Sequence, residues 1–235
     1  MSEVASDREM TILEHLRELR QRLIVAGIAT ILGMTVSAIW LTWPVIRLLS
    51  EPSGLNLVAL RPTETFVTYF KVALVTGAAL AMPVIVWQAL LFVLPALHKN
   101  ERRWLFLAVP FITIAFMCGL AFGFFIVIPS AVRFLSSFGG DFISQYWSIE
   151  EYLTFITTLL FWIGLSFETP IVIFFLAKLR LVNARSLGRF RRYAIVGAFV
   201  IGAIVTPTPD PFNQTLVAVP IYLLFELGVL LARFA

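Results

Sequence analysis

Three acidic side chains stand where their surroundings give them unusual chemistry. Glu18 lies in the run His15-Leu16-Arg17-Glu18-Leu19-Arg20, and Glu101 lies in Asn100-Glu101-Arg102-Arg103. Both sit among basic residues beside long apolar runs. A carboxylate can accept two guanidinium N–H donors at once, and a membrane headgroup region screens that pairing less than bulk water does. Two readings fit these acids. They pair within the chain, for which Glu18 and Arg22 have a favourable i,i+4 spacing, or they form a site for a cationic peptide. Glu168 differs from both. It lies ten residues before Lys178 inside an apolar run, which is about 15 Å along a helix. An ionisable group near a bilayer midplane costs at least about 2.5 kcal/mol, so function is its default reading. The alternative is a protonated or hydrogen-bonded Glu that satisfies backbone groups freed by Pro170. Glu226, seven residues before Arg233, reads as the partner of a basic connection.

No catalytic signature accompanies these acids. The sequence holds no phosphate-binding glycine loop, no H-E-x-x-H, no G-x-S-x-G and no Cys/His cluster. His15 and His98 lack convincing co-ligands, so no metal, no cofactor and no enzymatic activity are expected. Cys118 is single and cannot form an internal bridge; lying in an apolar run, it reads as a small core residue. The sequon Asn213-Gln214-Thr215 falls at the rim of an apolar segment and reads as chance.

The elements that position these residues follow from composition. Of 235 residues, 60% are apolar and 14% charged, with mean hydropathy +0.92. Soluble domains carry roughly 25% charge, so the solvent of this chain is lipid. About 20 mainly apolar residues cross the hydrocarbon core as a helix. Six runs qualify or nearly qualify: Leu23–Trp43, Phe66–Leu94, Trp104–Ile128, Tyr152–Ala177, Tyr193–Val205 and Gln214–Ala232. The expected fold is all-α, with residues 1–235 forming one integral membrane domain. The fifth run is short, and a re-entrant hairpin is its alternative reading. The fifth and sixth together are short enough to imply locally thinned lipid. Ahead of the first span, residues 1–22 read as an amphipathic interfacial helix, with Ile12, Leu13, Leu16 and Leu19 at helical spacing and Thr11 with Glu14 as a capping box.

Lysine and arginine placement sets the expected orientation. Fourteen of the 18 fall before the first span, in the 2–3 and 4–5 connections, or at Arg233. Only Arg47, Arg61, Lys71 and Arg133 fall on the other side. Positive residues accumulate on the cytoplasmic side, so both termini are expected there. The charge of +4 thus reports topology and implies no nucleic-acid partner. Trp40, Trp43, Trp104, Tyr146 and Trp147 lie near the expected interfaces. Met82-Pro83-Val84-Ile85 and Thr169-Pro170-Ile171-Val172 echo one another, which is poor evidence of an internal repeat.

Several motifs in order give a resemblance to a known family. They are His15 to Arg20, Met82 to Ile85, Phe92-Val93-Leu94-Pro95-Ala96-Leu97, Glu101-Arg102-Arg103 and Ser166-Phe167-Glu168-Thr169-Pro170. Val196 to Gly202 leading to Thr206-Pro207, then Gln214-Thr215-Leu216, Pro220 and Phe225-Glu226, complete the set. Over nearly its whole length the chain resembles TatC, the polytopic core of the twin-arginine protein translocase. The resemblance implies a glove-shaped, concave bundle of six helices. It implies a receptor that binds twin-arginine signal peptides of folded precursors and recruits single-span TatA- and TatB-type partners. Export would draw on the proton-motive force, and self-association within a larger complex is compatible with it. Carried over, Glu18 and Glu101 read the arginine pair, with Arg20 and Phe92 lining that site. Glu168 matches the intramembrane acid on the concave side. Gln214 and Thr215 match a partner-docking region, and Pro52 belongs to an outer cap. Asp210 falls in the linker Thr206-Pro207-Thr208-Pro209-Asp210, which is looser than the T-P-P-D of the family, so its role does not transfer cleanly. No transit peptide is read before the first span, so a bacterial cytoplasmic (inner) membrane is the expected location. A proton-coupled small-solute transporter is the competing class. It lacks support from broken midplane helices or a convincing repeat.

Overall fold

Lipid offers no hydrogen-bond partners, so apolar runs of this length must satisfy their backbone internally, as helices. The computed structural model describes residues 12–51, 57–93, 102–138, 146–206 and 210–235, and these are mostly helical. Helix α1 (Ile12–Val36) passes through a π turn (Ser37–Leu41) into α2 (Thr42–Ser50). Helix α3 spans Glu64–Val93. Helix α4 (Arg102–Phe122) continues through a second π turn (Gly123–Val127) into α5 (Ile128–Ser137). Then come α6 (Ile149–Lys178), α7 (Ala184–Arg189), α8 (Arg191–Val205) and α9 (Pro211–Leu231). Among the described residues, five helical stretches are long and apolar enough to cross a membrane: Leu13–Ser50, Glu64–Phe92, Leu107–Ser137, Ile149–Lys178 and Pro211–Leu231. Helix α8 has 15 residues, about 22 Å at 1.5 Å per residue, and is not among them.

Helix α6 is the hub. It packs against α3, α4 and α9, while α1 lies along α3 and α8 along α9. Near Ile149, its Leu153, Ile156 and Leu159 meet Val72 of α3, Ile128 of α5 and Val217 of α9. Near Lys178, Phe175 joins Met82 and Val86 of α3 with Ile112 and Phe116 of α4. Glycine sets several helix crossings. A Cβ on Gly33 would lie 2.4 Å from the Gly77 carbonyl oxygen, so α1 and α3 touch backbone to backbone. A Cβ on Gly119 would lie 2.8 Å from Gly164 Cα, which draws α4 onto α6. Small residues at such crossings are how helices associate in lipid. Large apolar side chains point outward elsewhere, as Ile31 (65% exposed) and Phe125 (73%) do. In water that surface would be a liability; in a bilayer it is the lipid contact.

A cap closes the end of the bundle near Ile149. Leu57–Val58 (β1) pairs in parallel with Trp147–Ser148 (β2), with Leu57 opposite Trp147. The buried Glu64 carboxylate accepts hydrogen bonds from the Leu60 and Arg61 amides and the Ser148 hydroxyl. Lys71 pairs with Glu150 at 2.7 Å. The two connections at this end are thereby one structure.

Several expectations change. Residues from Ile12 run as one helix, without a break, into the first span. The first and third spans also extend past Trp43 and Ile128, through α2 and α5. Pro44 and Pro129 signal breaks there, yet each follows a π turn, where the ladder is already offset and a missing N–H costs little. Cys118 is exposed on α4 rather than in a core, because an apolar side chain needs no burial where lipid is the solvent. Helix α9 has 21 residues, so only α8 is short. The Thr11 half of the capping box, Trp104's side chain, Pro52 and Glu101 lie outside the described residues.

Candidate functional site

Packing of α1 on α3 assembles one polar cluster at the end of the bundle where α3 finishes. His15 stacks on Phe92, with ring centroids 4.4 Å apart and planes 16° apart. One turn further along α1, Glu18 Oε1 accepts from Arg22 Nη2 at 2.8 Å. The same guanidinium donates through Nη1 to Gln88 Oε1 on α3 at 3.1 Å. Arg22 Nε is buried and has no hydrogen-bond partner among the described residues. Beside these groups opens a cavity of about 480 Å³, bordered by Glu14, Arg17, Glu18, Gln21 and Gln88. A partly buried carboxylate, an aromatic ring and a polar cavity at one interface can hold a cation and the chain attached to it.

The sequence-expected residues therefore separate into groups. Glu18 and Phe92 come to the same end of the α1–α3 pair. Arg20 is exposed on α1, away from the Glu18 face, since two helical residues differ by about 200°. Glu168 lies within α6, two residues before Pro170, and is 4% exposed. Its Oε1 has no hydrogen-bond partner among the described residues, so that oxygen does not satisfy the backbone freed by Pro170. Nearby, a Cβ on Gly228 would lie 2.7 Å from Ile173 Cδ1 and 3.2 Å from Pro170 Cα; α9 thus packs closely on α6 at Pro170. Gln214 donates from Nε2 to the Phe199 carbonyl of α8 at 3.0 Å, while Thr215 is exposed. Asp210 caps α9, accepting from the Asn213 amide at 2.7 Å and its side-chain Nδ2 at 3.0 Å. Asn213 is 1% exposed, which agrees with reading its sequon as chance. Glu226 accepts from Arg191 at 2.8 Å and from Tyr222 at 2.7 Å, so its partner is in the basic connection. Among the described residues no cluster of three or more His, Cys, Asp or Glu could hold a metal ion.

Sequence reasoning missed Gln88, Glu64 and the role of His15. Nothing in local spacing marks Gln88; it matters because Gly33 and Gly77 bring α3 against α1. Glu64 had a faint signal, an acid directly after Pro62-Thr63 at a helix start.

The fold defines the class: a polytopic helical membrane protein built on one central helix, with a polar cluster at one end and a buried acid within that central helix. The chain belongs to the TatC family, since the family profile described as Sec-independent protein translocase protein (TatC) matches residues 14–220. It is 37% identical over 230 residues to the Sec-independent protein translocase protein TatC of Carboxydothermus hydrogenoformans, covering 97% of this chain and 95% of the relative. Identity to the protein of the same name from Aquifex aeolicus is 37% over 233 residues, covering 96% of each. A crystal structure of the twin arginine translocase receptor TatC superposes with TM-score 0.84 at 37% identity, covering 94% of this chain and 99% of the other. The chain is accordingly a membrane protein of a protein-transport family, and that family is not an enzyme family.

Proposed function

We propose that this chain is the receptor and scaffold subunit of a twin-arginine translocase in a bacterial cytoplasmic membrane. Its six spans are α1–α2, α3, α4–α5, α6, α8 and α9, and both termini are cytoplasmic. The basic residues favour this: they collect before α1, around Arg102–Arg103, and from Lys178 to Arg192. On that topology the Glu18–Phe92 cluster faces the cytoplasm, where precursors arrive. Glu18 and Glu101 bind the signal-peptide guanidinia, and Phe92 borders the bound peptide. Gln214 and Thr215 contact single-span TatA- and TatB-type partners at the α8–α9 joint. Pro52 and Asp210 belong to the cap and linker on the far side. Glu168 acts after binding, during export driven by the proton-motive force. About 2.3 kcal/mol is available per charge moved across 100 mV.

The observation that carries this reading is that α1–α3 packing in a TatC-family chain brings Glu18, which borders a polar cavity, and Phe92, stacked on His15, to the same end of the bundle although they are 74 residues apart in sequence. Its test is peptide affinity. Hydrogen bonds to charged groups contribute about 1.5–3 kcal/mol. Glu101→Ala is therefore expected to weaken binding of a twin-arginine peptide by about 10- to 100-fold. A twin-lysine peptide binds worse than the twin-arginine peptide to the unaltered protein, because lysine lacks the planar fork. Equal affinities for the two peptides would exclude guanidinium recognition.

A further inference from the structure

Glu18, which the proposed function assigns to a peptide guanidinium, already holds one. Arg22 places Nη2 2.8 Å from Glu18 Oε1 and Nη1 3.1 Å from Gln88 Oε1. The guanidinium is thus clasped through both terminal nitrogens, by its own helix and by α3. We infer that Arg22 is a built-in surrogate for the signal-peptide arginine, which Gln88 retains on Glu18 and an arriving peptide must displace. The inference rests on Glu18 being part of the receptor site.

Three features favour an exchangeable occupant over a fixed structural bridge. The pair is partly open to solvent, with side-chain exposures of 28% for Arg22 and 20% for Glu18; exposed i,i+4 pairs contribute only a few tenths of a kcal/mol. Arg22 Nε is buried without a partner among the described residues. The clasped pose thus leaves a donor unsatisfied, which lowers its net stability. Finally, the adjoining cavity of about 480 Å³ is bordered by Arg22, Glu18 and Gln88 together. It can receive the Arg22 side chain or an incoming one without moving a helix.

The consequence is quantitative. A protein whose competent state is a fraction of the population binds every ligand more weakly by that same fraction. Arg22 therefore raises the threshold for all peptides that use Glu18, and leaves the preference for arginine over lysine unchanged. Weak or wrong signals then fail to occupy the receptor, while a forked pair of arginines succeeds.

The test uses the full chain in lipid nanodiscs and fluorescence anisotropy with labelled twin-arginine and twin-lysine signal peptides. Arg22→Gln is expected to tighten both by about three- to tenfold, with their ratio unchanged. Gln88→Met keeps the net charge and is expected to tighten both by about two- to threefold. In a Glu18→Gln background, Gln88→Met is expected to do nothing. If Gln88→Met does not tighten binding, the clasp is not a competitor and the inference falls. If only Arg22→Gln tightens it, plain charge repulsion replaces the inference. A changed arginine-to-lysine ratio would instead make Arg22 a direct peptide contact and overturn it. Should Glu18→Gln alone leave affinity intact, the receptor assignment of Glu18 fails, which is a different result from any of these. Unchanged melting temperature of each variant shows that folding is not the cause.

Discussion

Glu168 is the residue on which the bilayer places the heaviest demand. It is buried in the central helix, two residues before Pro170, and its Oε1 has no partner among the described residues. A purely structural acid would be expected to spend its oxygens on the backbone that Pro170 frees, since an unsatisfied polar group in a low-dielectric interior is costly. Retaining such a group calls for a step in which its charge or hydrogen-bonding capacity is used. Glu168→Gln keeps the size and removes the ionisation. The variant is expected to bind twin-arginine peptides as before and to lower export of a folded precursor several-fold, measured in membrane vesicles. Unchanged export would make the acid structural. Glu18 and Glu64 show two other fates of a carboxylate here. Glu64 is consumed by three donors in the cap. Among the described residues Glu18 has one partner, Arg22, at the α1–α3 interface and partly open to solvent, an arrangement that would suit a binding residue.

At the scale of helices, the α1–α3 contact decides whether the polar cluster exists. Residues 33 and 77 meet backbone to backbone, and this crossing brings Gln88 within reach of Arg22 and Phe92 within reach of His15. Gly77→Ala would put a methyl group 2.4 Å from Met34 backbone atoms. Overpacking of this kind costs about 1–3 kcal/mol. The variant is expected to lower the melting temperature and to weaken peptide binding together; loss of neither would mean that the crossing does not organise the site. The two π turns matter in the same way, since they carry α1 and α4 past Pro44 and Pro129 into α2 and α5. A hydrophobic run announces a helix wherever lipid is the solvent, so the long segments were legible. The places where helices outlast their apolar run were not, because a proline looks like a stop unless the preceding turn has shifted register. Glu18 was legible as a charged residue in an unusual setting. Its clasp to Gln88 was not, because contacts between helices depend on packing angles that local spacing does not express.

For the whole molecule, one asymmetry stands out. Helix α6 contacts α3, α4 and α9, whereas α8 leans mainly on α9 and is the short one. Whether α8 crosses decides where the C-terminal helix points. With Cys118 replaced by Ser, a cysteine at position 208 is expected to react with a membrane-impermeant maleimide added outside intact cells. One at position 183 is expected to react only after permeabilisation. Labelling of both from the same side would reduce the count to five spans and a hairpin. The composition made a membrane protein legible at once, and ordered motifs made the family legible. The placement of Arg22 against Glu18, and the joining of two connections through Glu64, belong to the folded whole.

The central claim is that the end of the bundle bearing Glu18 and Phe92 receives twin-arginine signal peptides. A photo-crosslinker at position 101, in the full chain in membranes, tests it most directly against precursors carrying Arg-Arg or Lys-Lys in their signal peptides. The receptor assignment predicts an adduct with the Arg-Arg precursor and little with its Lys-Lys counterpart. No adduct with either precursor, in protein shown to be folded, would contradict it and leave Glu101 as a salt-bridging residue of the 2–3 connection.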